Sequence, residues 1–284
     1  MYQDYLLRKN RDHIIYVVAG RKGIGKTYLS EQLVKRYAQI HNKKVLIFAA
    51  EGKDWSFANT ISKNQVGRFI GEEYDFPEIL AIRDNEFVDL EEKEEVFKEV
   101  VYRFRNGLLV AEDLNKYLIG TGSKKIIASI VANRQKNADI LLHFQSLAAV
   151  TPRIFQNAYI FRLHKQVDDI SRYSSRIPEY KLFYIAKDIV DNAYKRGDKR
   201  RYVYVNLFNY KIEGQYKISE FVESAINYLT HKKGILSEYE SKLSARIMSS
   251  GKKLKKRITK SEIKNLSLKE ATKDLFMHSK YHIN

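Results

Sequence analysis

The sequence predicts an α/β protein: a mostly parallel sheet with helices on both faces, followed by a C-terminal β-hairpin and a basic helical tail. Three observations predict it. Short apolar runs alternate with amphipathic stretches at helical spacing along most of the chain. Such alternation requires right-handed crossovers and so parallel strands. The apolar runs are continuous rather than alternating, as expected of strands buried on both faces. One of them ends directly in a glycine-rich loop that opens a helix.

The elements follow in order. His13–Ala19 (HIIYVVA) reads as a buried strand ending at glycines, and Thr27–Ile40 as a helix with Leu29, Leu33, Val34 and Tyr37 at helical spacing. Lys44–Ala50 (KVLIFAA) is a second strand and Glu78–Ile82 a weaker third; between them residues 51–77 lack a pattern, and Trp55, Phe57 and Asn59 have no assigned place. Glu91–Phe104 is an amphipathic helix with Val96, Val100 and Phe104 on one face. Gly107–Ala111 is a strand that stops at two carboxylates; Lys124–Lys136 is a helix with Ile127, Ile130 and Val131 inward; Asp139–Phe144 and Ala158–Leu163 are strands. Pro178–Lys195 is helical, Arg201–Phe208 and Tyr210–Ile218 form a hairpin, and Ser219–Leu229 is a helix with Ser219 as N-cap.

With 284 residues the chain forms one large domain or two small ones. Hydrophobic residues at 44% and charged residues at 30% suffice for a core and exclude global disorder. No apolar run approaches the roughly 18 residues of a membrane span, and the start, MYQDYLLRKN, lacks the apolar segment of a secretory signal. The absence of cysteine excludes disulfide frameworks, thiol nucleophiles and Cys-ligated zinc. A net charge of +17 favours a polyanionic partner, and +9 of it lies in residues 232–284, where 14 cations face five acids. A boundary near 232 therefore divides a 1–231 α/β domain from a 232–284 basic tail, partly helical or disordered. The densest run, Gly251–Arg257 (GKKLKKR), suits either a solvated terminus or an arm that contacts phosphates. Ser267–Ser279 has the opening pattern of a helix-turn-helix, with no room for a recognition helix after it.

Gly20-Arg21-Lys22-Gly23-Ile24-Gly25-Lys26-Thr27 matches G-x-x-x-x-G-K-[ST], with an apolar strand before it and an amphipathic helix after it. Glycines let successive backbone N–H groups turn toward a β-phosphate, Lys26 reaches the β- and γ-oxygens, and the Thr27 hydroxyl ligates Mg²⁺. The loop through Tyr28 is the expected ATP site, and Arg21 and Lys22 within it read as exposed charges.

Glu112 and Asp113 end an apolar strand, where one acid would hold Mg²⁺ and the other would polarise the attacking water. At least one strand lies in sequence between the loop and these acids. That predicts an inserted strand between the phosphate-loop and carboxylate strands, as in motor-type ATPases rather than nucleotide kinases. Gln145 ends the next strand and suits contact with the γ-phosphate or the lytic water, whereas His143 inside that strand reads as a packed side chain. Arg134, in Asn133–Asn137, and Arg162 are the rival arginine fingers for a neighbouring subunit's nucleotide.

This set resembles the HerA/FtsK superfamily of P-loop ATPases over roughly residues 10–225: the loop at 20–27, the strand Leu108-Leu-Val-Ala-Glu-Asp113, the Arg-containing segment running into Ile140-Leu-Leu-His-Phe-Gln145, and Ala148–Arg162 (AAVTPRIFQNAYIFR). The order Glu112 then Asp113 departs from the usual Asp then Glu, which leaves their division of labour open. The resemblance implies a RecA-like fold, Mg²⁺-dependent ATP hydrolysis, a homo-oligomeric ring, often a hexamer, and translocation of DNA held by phosphate contacts. A bare motor core with a short basic tail is most similar to the ATPases that package phage or viral genomes, with a capsid or portal partner and a place in the host cytoplasm or on the virion. The alternatives are an assembly ATPase of the filamentous-phage type and a nucleotide-gated DNA-binding adaptor without a motor role. Residues 114–125 (LNKYLIGTGSKK), with Lys116, Lys124 and Lys125, and the hairpin near Asn209 are the expected pore segments.

Overall fold

The computed structural model describes residues 5–71, 73–74, 76–114, 123–249, 259–276 and 279–281. A short 3-10 turn leads into β1 (Ile15–Ala19), α1 (Lys26–His41) and β2 (Lys44–Ala50). The unpatterned stretch after β2 contains β3 (Asn59–Thr60) and α2 (Val66–Ile70). There follow β4 (Ile79–Arg83), α3 (Leu90–Arg103), β5 (Gly107–Ala111), α4 (Ser123–Val131), β6 (Ala138–Phe144), α5 (Pro152–Asn157) and β7 (Ala158–Leu163). The remainder is α6 (Tyr180–Lys195), β8 (Val203–Asn206), β9 (Lys211–Gly214), α7 (Ile218–His231), α8 (Lys233–Ser249), α9 (Lys260–Phe276) and β10 (Ser279–Tyr281).

Among the described residues the strands form one sheet in the order β10-β9-β8-β7-β1-β6-β5-β2-β4-β3. From β7 to β3 every pair is parallel; β8 is antiparallel to β7 and β9 to β8, and β10 runs parallel to β9. An inserted strand does separate the phosphate-loop strand from the carboxylate strand. It is β6, which follows the acids in sequence; β2 and β4, which precede them, lie on the far side of β5.

The continuous apolar runs have a direct cause. Ile15, Val17, Leu46, Phe48, Leu109 and Leu142 enter a core closed by α3, α4, α6 and α7. Their neighbours Tyr16, Val18, Val45, Ile47, Leu108 and Leu141 enter a second core closed by Leu33, Val34 and Tyr37 of α1. Both faces are therefore dry, and no position on the central strands can be polar without a partner. Asp139, at the start of β6, is such a position. It accepts two hydrogen bonds from Arg11 (2.7 and 2.9 Å), one from Tyr37 Oη (2.9 Å) and one from the Ile14 N–H (2.9 Å), which ties the entrance of β1 and the end of α1 to β6.

Several local expectations change. The helix expected over 124–136 is α-helical only to Val131 and then 3-10, because Lys136 folds back to the carbonyls of Val101 and Ser129 and Asn137 takes a left-handed φ of 49°. The cap of α7 is Lys217, whose N–H donates to the Glu220 carboxylate at 2.7 Å; Ser219 lies inside the first turn. Ser267–Phe276 is not the start of a helix-turn-helix but the second half of α9, which buries Ala271 and Leu275 in the core that α7 also lines. The basic run 251–257 and residues 115–122 of the expected pore segment lie outside the described residues.

Candidate functional site

The parallel strands all end at one edge of the sheet, and the predicted site residues other than Arg134 collect there. After Ala19, Gly20 turns the chain, and the loop hangs from its neighbours: Gly20 N–H donates to Phe144 O (3.2 Å) and Arg21 N–H to Lys165 O (2.9 Å). No side chain fits at position 20, where a Cβ would lie 2.6 Å from His164 Cβ. Gly25 caps α1 at a φ of 86°, a region that costs other residues roughly 1–2 kcal/mol. The loop is thus sealed behind and leaves its own N–H groups to the front.

Lys26 is nearly buried and donates to Gly20 O (2.6 Å) and Arg21 O (3.0 Å), folded across its own loop. Burial lowers its pKa, and the nearby Asp113 and Glu112 carboxylates oppose that shift. An open cavity of about 660 Å³ lies in front, lined by Lys22 to Leu29 of the loop and α1, by Glu112 and Asp113, and by Glu51, Asp54, Arg200 and Tyr202. Thr27 is half-buried and Tyr28 exposed at its rim. Of the two cations inside the loop, Arg21 covers the ring of Tyr194 (5.8 Å) and Lys22 approaches Glu51 (3.7 Å).

Glu112 and Asp113 differ in setting. Asp113 takes a left-handed φ of 45°, which aspartate tolerates better than most residues, and it accepts a hydrogen bond from Gln145 Nε2 at 3.1 Å. Gln145 is therefore joined to the acid pair. Glu112 is buried; its Oε1 accepts the Trp55 indole N–H (3.0 Å) and lies 3.0 Å from His143 Nδ1. Burial pushes the Glu112 carboxyl up, but His143, the indole and Lys26 together outweigh it and hold it below its usual value.

The arginines separate. Arg162 is 2% exposed and donates to Lys26 O (3.1 Å) and to Ser30 Oγ (2.6 Å) on α1 of its own chain. It is closed off from the surface and holds the helix that follows the loop from within. Arg134 is exposed and lies over the Tyr159 ring (5.1 Å) at the start of β7. That is the opposite edge of the sheet, roughly 20 Å from the cavity at strand rise, and the chain does not bring it to its own site.

Sequence reasoning missed the partners behind the first row. Trp55, Ser30, Arg200 and Tyr202 carried no motif, yet register accounts for part of the set. Val18 pairs with His143 on one side and Arg162 on the other, and Glu112 lies one step beyond the Ala111–Leu142 pair. The row Arg162, Val18, His143, Glu112 therefore crosses four strands on the α1 face. Ser30, one turn after Lys26, faces it.

A glycine loop between β1 and α1, an acid pair ending β5 and a glutamine-terminated strand between them define the RecA-like P-loop NTPase fold, the topology that the HerA/FtsK resemblance implies. No family profile and no curated protein sequence matches the chain. Solved structures similar to it include B204, the DNA-packaging ATPase of Sulfolobus Turreted Icosahedral Virus, at 16% identity, covering 70% of this chain and 95% of that one with a TM-score of 0.49. The pCW3 conjugation coupling protein TcpA is 12% identical over 62% of this chain and 60% of its own, with a TM-score of 0.37. The N-terminal domain of zonular occludens toxin from Neisseria meningitidis is 11% identical over 58% and 91%, with a TM-score of 0.32. No helix among the described residues is long and apolar enough to cross a membrane.

Proposed function

We propose that this protein is a Mg²⁺-dependent ATPase that drives DNA movement, of the kind that packages viral or phage genomes. One observation carries the reading: the Lys26–Thr27 loop and the Glu112–Asp113 pair open into a single cavity at the strand ends, with Gln145 bonded to the pair. In this reading the loop N–H groups from Gly23 to Thr27 hold the β-phosphate and Lys26 leaves its own carbonyls for the β- and γ-oxygens. The exposed Tyr28 and the Tyr202–Arg200 side of the cavity take the nucleoside.

The donor set suits Mg²⁺. Thr27, Glu112 and Asp113 offer hard oxygens, and among the described residues no cluster of three or more His, Cys, Asp or Glu forms an all-protein cage. Mg²⁺ is normally held by one or two carboxylates plus substrate phosphates and water. When bound it would neutralise charge developing on the transferred phosphoryl group. Glu112 and Asp113 share metal holding and orientation of the attacking water, and Gln145 reports the γ-phosphate. Arg134 could serve only the site of a neighbouring subunit in a ring.

The partner in this reading is DNA, gripped by phosphate contacts without sequence readout. The basic tail, Lys124 and Lys125, and the hairpin turn at Asn209 are the candidate contacts, and a capsid or portal the docking partner, in the host cytoplasm or on the virion. The test is steady-state ATP hydrolysis with Mg²⁺, with and without double-stranded DNA, at low and moderate salt. DNA-stimulated turnover that Lys26→Ala abolishes is expected. Unchanged turnover in that variant refutes the site. Hydrolysis indifferent to DNA refutes the motor and leaves the assembly-type ATPase. No hydrolysis leaves the nucleotide-gated adaptor.

A further inference from the structure

His143 is fully buried between two groups that fix the position of its protons. On one side its Nε2 is 2.8 Å from Ser30 Oγ. Ser30 Oγ already accepts a hydrogen bond from Arg162 Nη2 at 2.6 Å, and a guanidinium can only donate. The Ser30 hydroxyl proton is therefore free for Nε2. On the other side Nδ1 lies 3.0 Å from Glu112 Oε1 in a bent contact. An ionised carboxylate has no proton to offer. A bare Nδ1 there would set two lone pairs against each other, so Nδ1 carries the ring proton and aims it at Glu112.

The Trp55 indole donates to the same oxygen at 3.0 Å. Glu112 Oε1 thus accepts the indole N–H and faces His143 Nδ1, while the residue itself lines the cavity. The chain of contacts starts at the phosphate loop itself, since Arg162 also donates to Lys26 O. It links the helix behind the loop to the carboxylate opposite.

We infer that His143 is a positioning residue: held by Ser30 and Arg162, it and Trp55 lock Glu112 in one rotamer at the cavity. This rests on the ATPase reading above. It assigns the anchored carboxylate to Glu112.

The experiment has two arms on the full chain. In the first, ¹⁵N-imidazole NMR reads the tautomer of His143, identified by its loss in His143→Asn. The Nδ1–H form is expected, and it should persist in Ser30→Ala, where the Glu112 carboxylate still faces Nδ1. In the second, MgATP turnover is compared for wild type, His143→Leu and His143→Asn, whose amide N–H falls close to Nδ1. A hydrogen bond to a charged group is worth about tenfold to a hundredfold in rate. His143→Leu should lose kcat on that scale with KM little changed, and His143→Asn should recover most of it.

Trp55→Phe, which removes the other donor, should show an intermediate loss and guards against a Leu variant that merely misfolds. An Nε2–H tautomer in the wild type overturns the inference, as does equal impairment of the Leu and Asn variants or wild-type kcat in both His143→Leu and Trp55→Phe. A wild type that shows the Nδ1–H tautomer without any MgATP turnover overturns the ATPase reading instead, and with it the catalytic purpose of the clamp.

Discussion

Replacing Asp139 by asparagine should be among the most damaging changes of a single charge. The carboxylate is buried at the entrance of β6, bonded twice to Arg11 and once each to Tyr37 and the Ile14 N–H, with His13 Nδ1 at 3.4 Å. The asparagine is nearly isosteric, so the packing survives while the Arg11 guanidinium loses its counter-charge. Removing one partner of a buried ion pair costs about 3–5 kcal/mol. At about 2–4 °C per kcal/mol for large domains, the melting temperature should fall by on the order of 10 °C.

The pH dependence sharpens the test. Burial would push the Asp139 carboxyl up, but His13 and Arg11 outweigh it and hold it well below the usual carboxylate range. A depressed folded-state value contributes stability that is present above the unfolded value, near ~4. It is lost as pH falls toward the folded one. Asp139→Asn cannot titrate, so its deficit should be largest at neutral pH and should narrow below about pH 4. Thermal melts of both proteins from neutral to acid measure this. Equal melting temperatures at neutral pH, or a deficit that does not narrow in acid, would show that the Arg11–Asp139 pair is not what holds this corner.

Gly20→Ala places a Cβ 2.6 Å from His164 Cβ and 3.3 Å from Lys165 O, so the loop must shift; binding of a fluorescent ATP analogue should weaken at least tenfold while the far-UV spectrum stays unchanged. Trp55 is the sole tryptophan and touches Glu112, so MgATP should change its emission, an effect lost in Lys26→Ala; silent fluorescence at saturating nucleotide would mean the Trp55–Glu112 contact is insensitive to the site. Changing Lys252, Lys253, Lys255, Lys256 and Arg257 to glutamine spares the packed helices. It should weaken DNA binding and flatten its salt slope, whereas an unchanged slope would mark the run as a solvated terminus only.

Much of the frame was legible because its causes are local. Strands buried on both faces must be continuous apolar runs, and the phosphate loop needs its glycines at fixed spacing, so β1, β2, β5, β6 and the loop lay where the residues placed them. What was hidden depends on contacts between residues distant in sequence. Trp55 donates to Glu112 across 57 positions, and Arg162 clamps the loop helix across more than 130. Arg162 stood as a rival candidate for the finger because a charged residue in an apolar strand signals function without saying which way it faces. Here the pairing with Val18 turns it inward, under α1. The tail was legible as basic and partly helical, but not its docking: the few apolar residues that seat α9, Ala271 and Leu275 among them, are too sparse to signal a packed helix.

The cavity and Arg134 occupy opposite edges of one sheet, and this has a consequence for symmetry. Two identical molecules related by a two-fold axis meet through the same patch on each. A cavity on one edge served by an arginine on the other joins unlike patches, and such a contact is heterologous. A pair built that way always leaves one cavity unserved at one end and one arginine idle at the other. The arrangement is complete only when the last copy meets the first, so if Arg134 does complete a neighbour's site, the number of working sites equals the number of subunits and the open chain is never fully active.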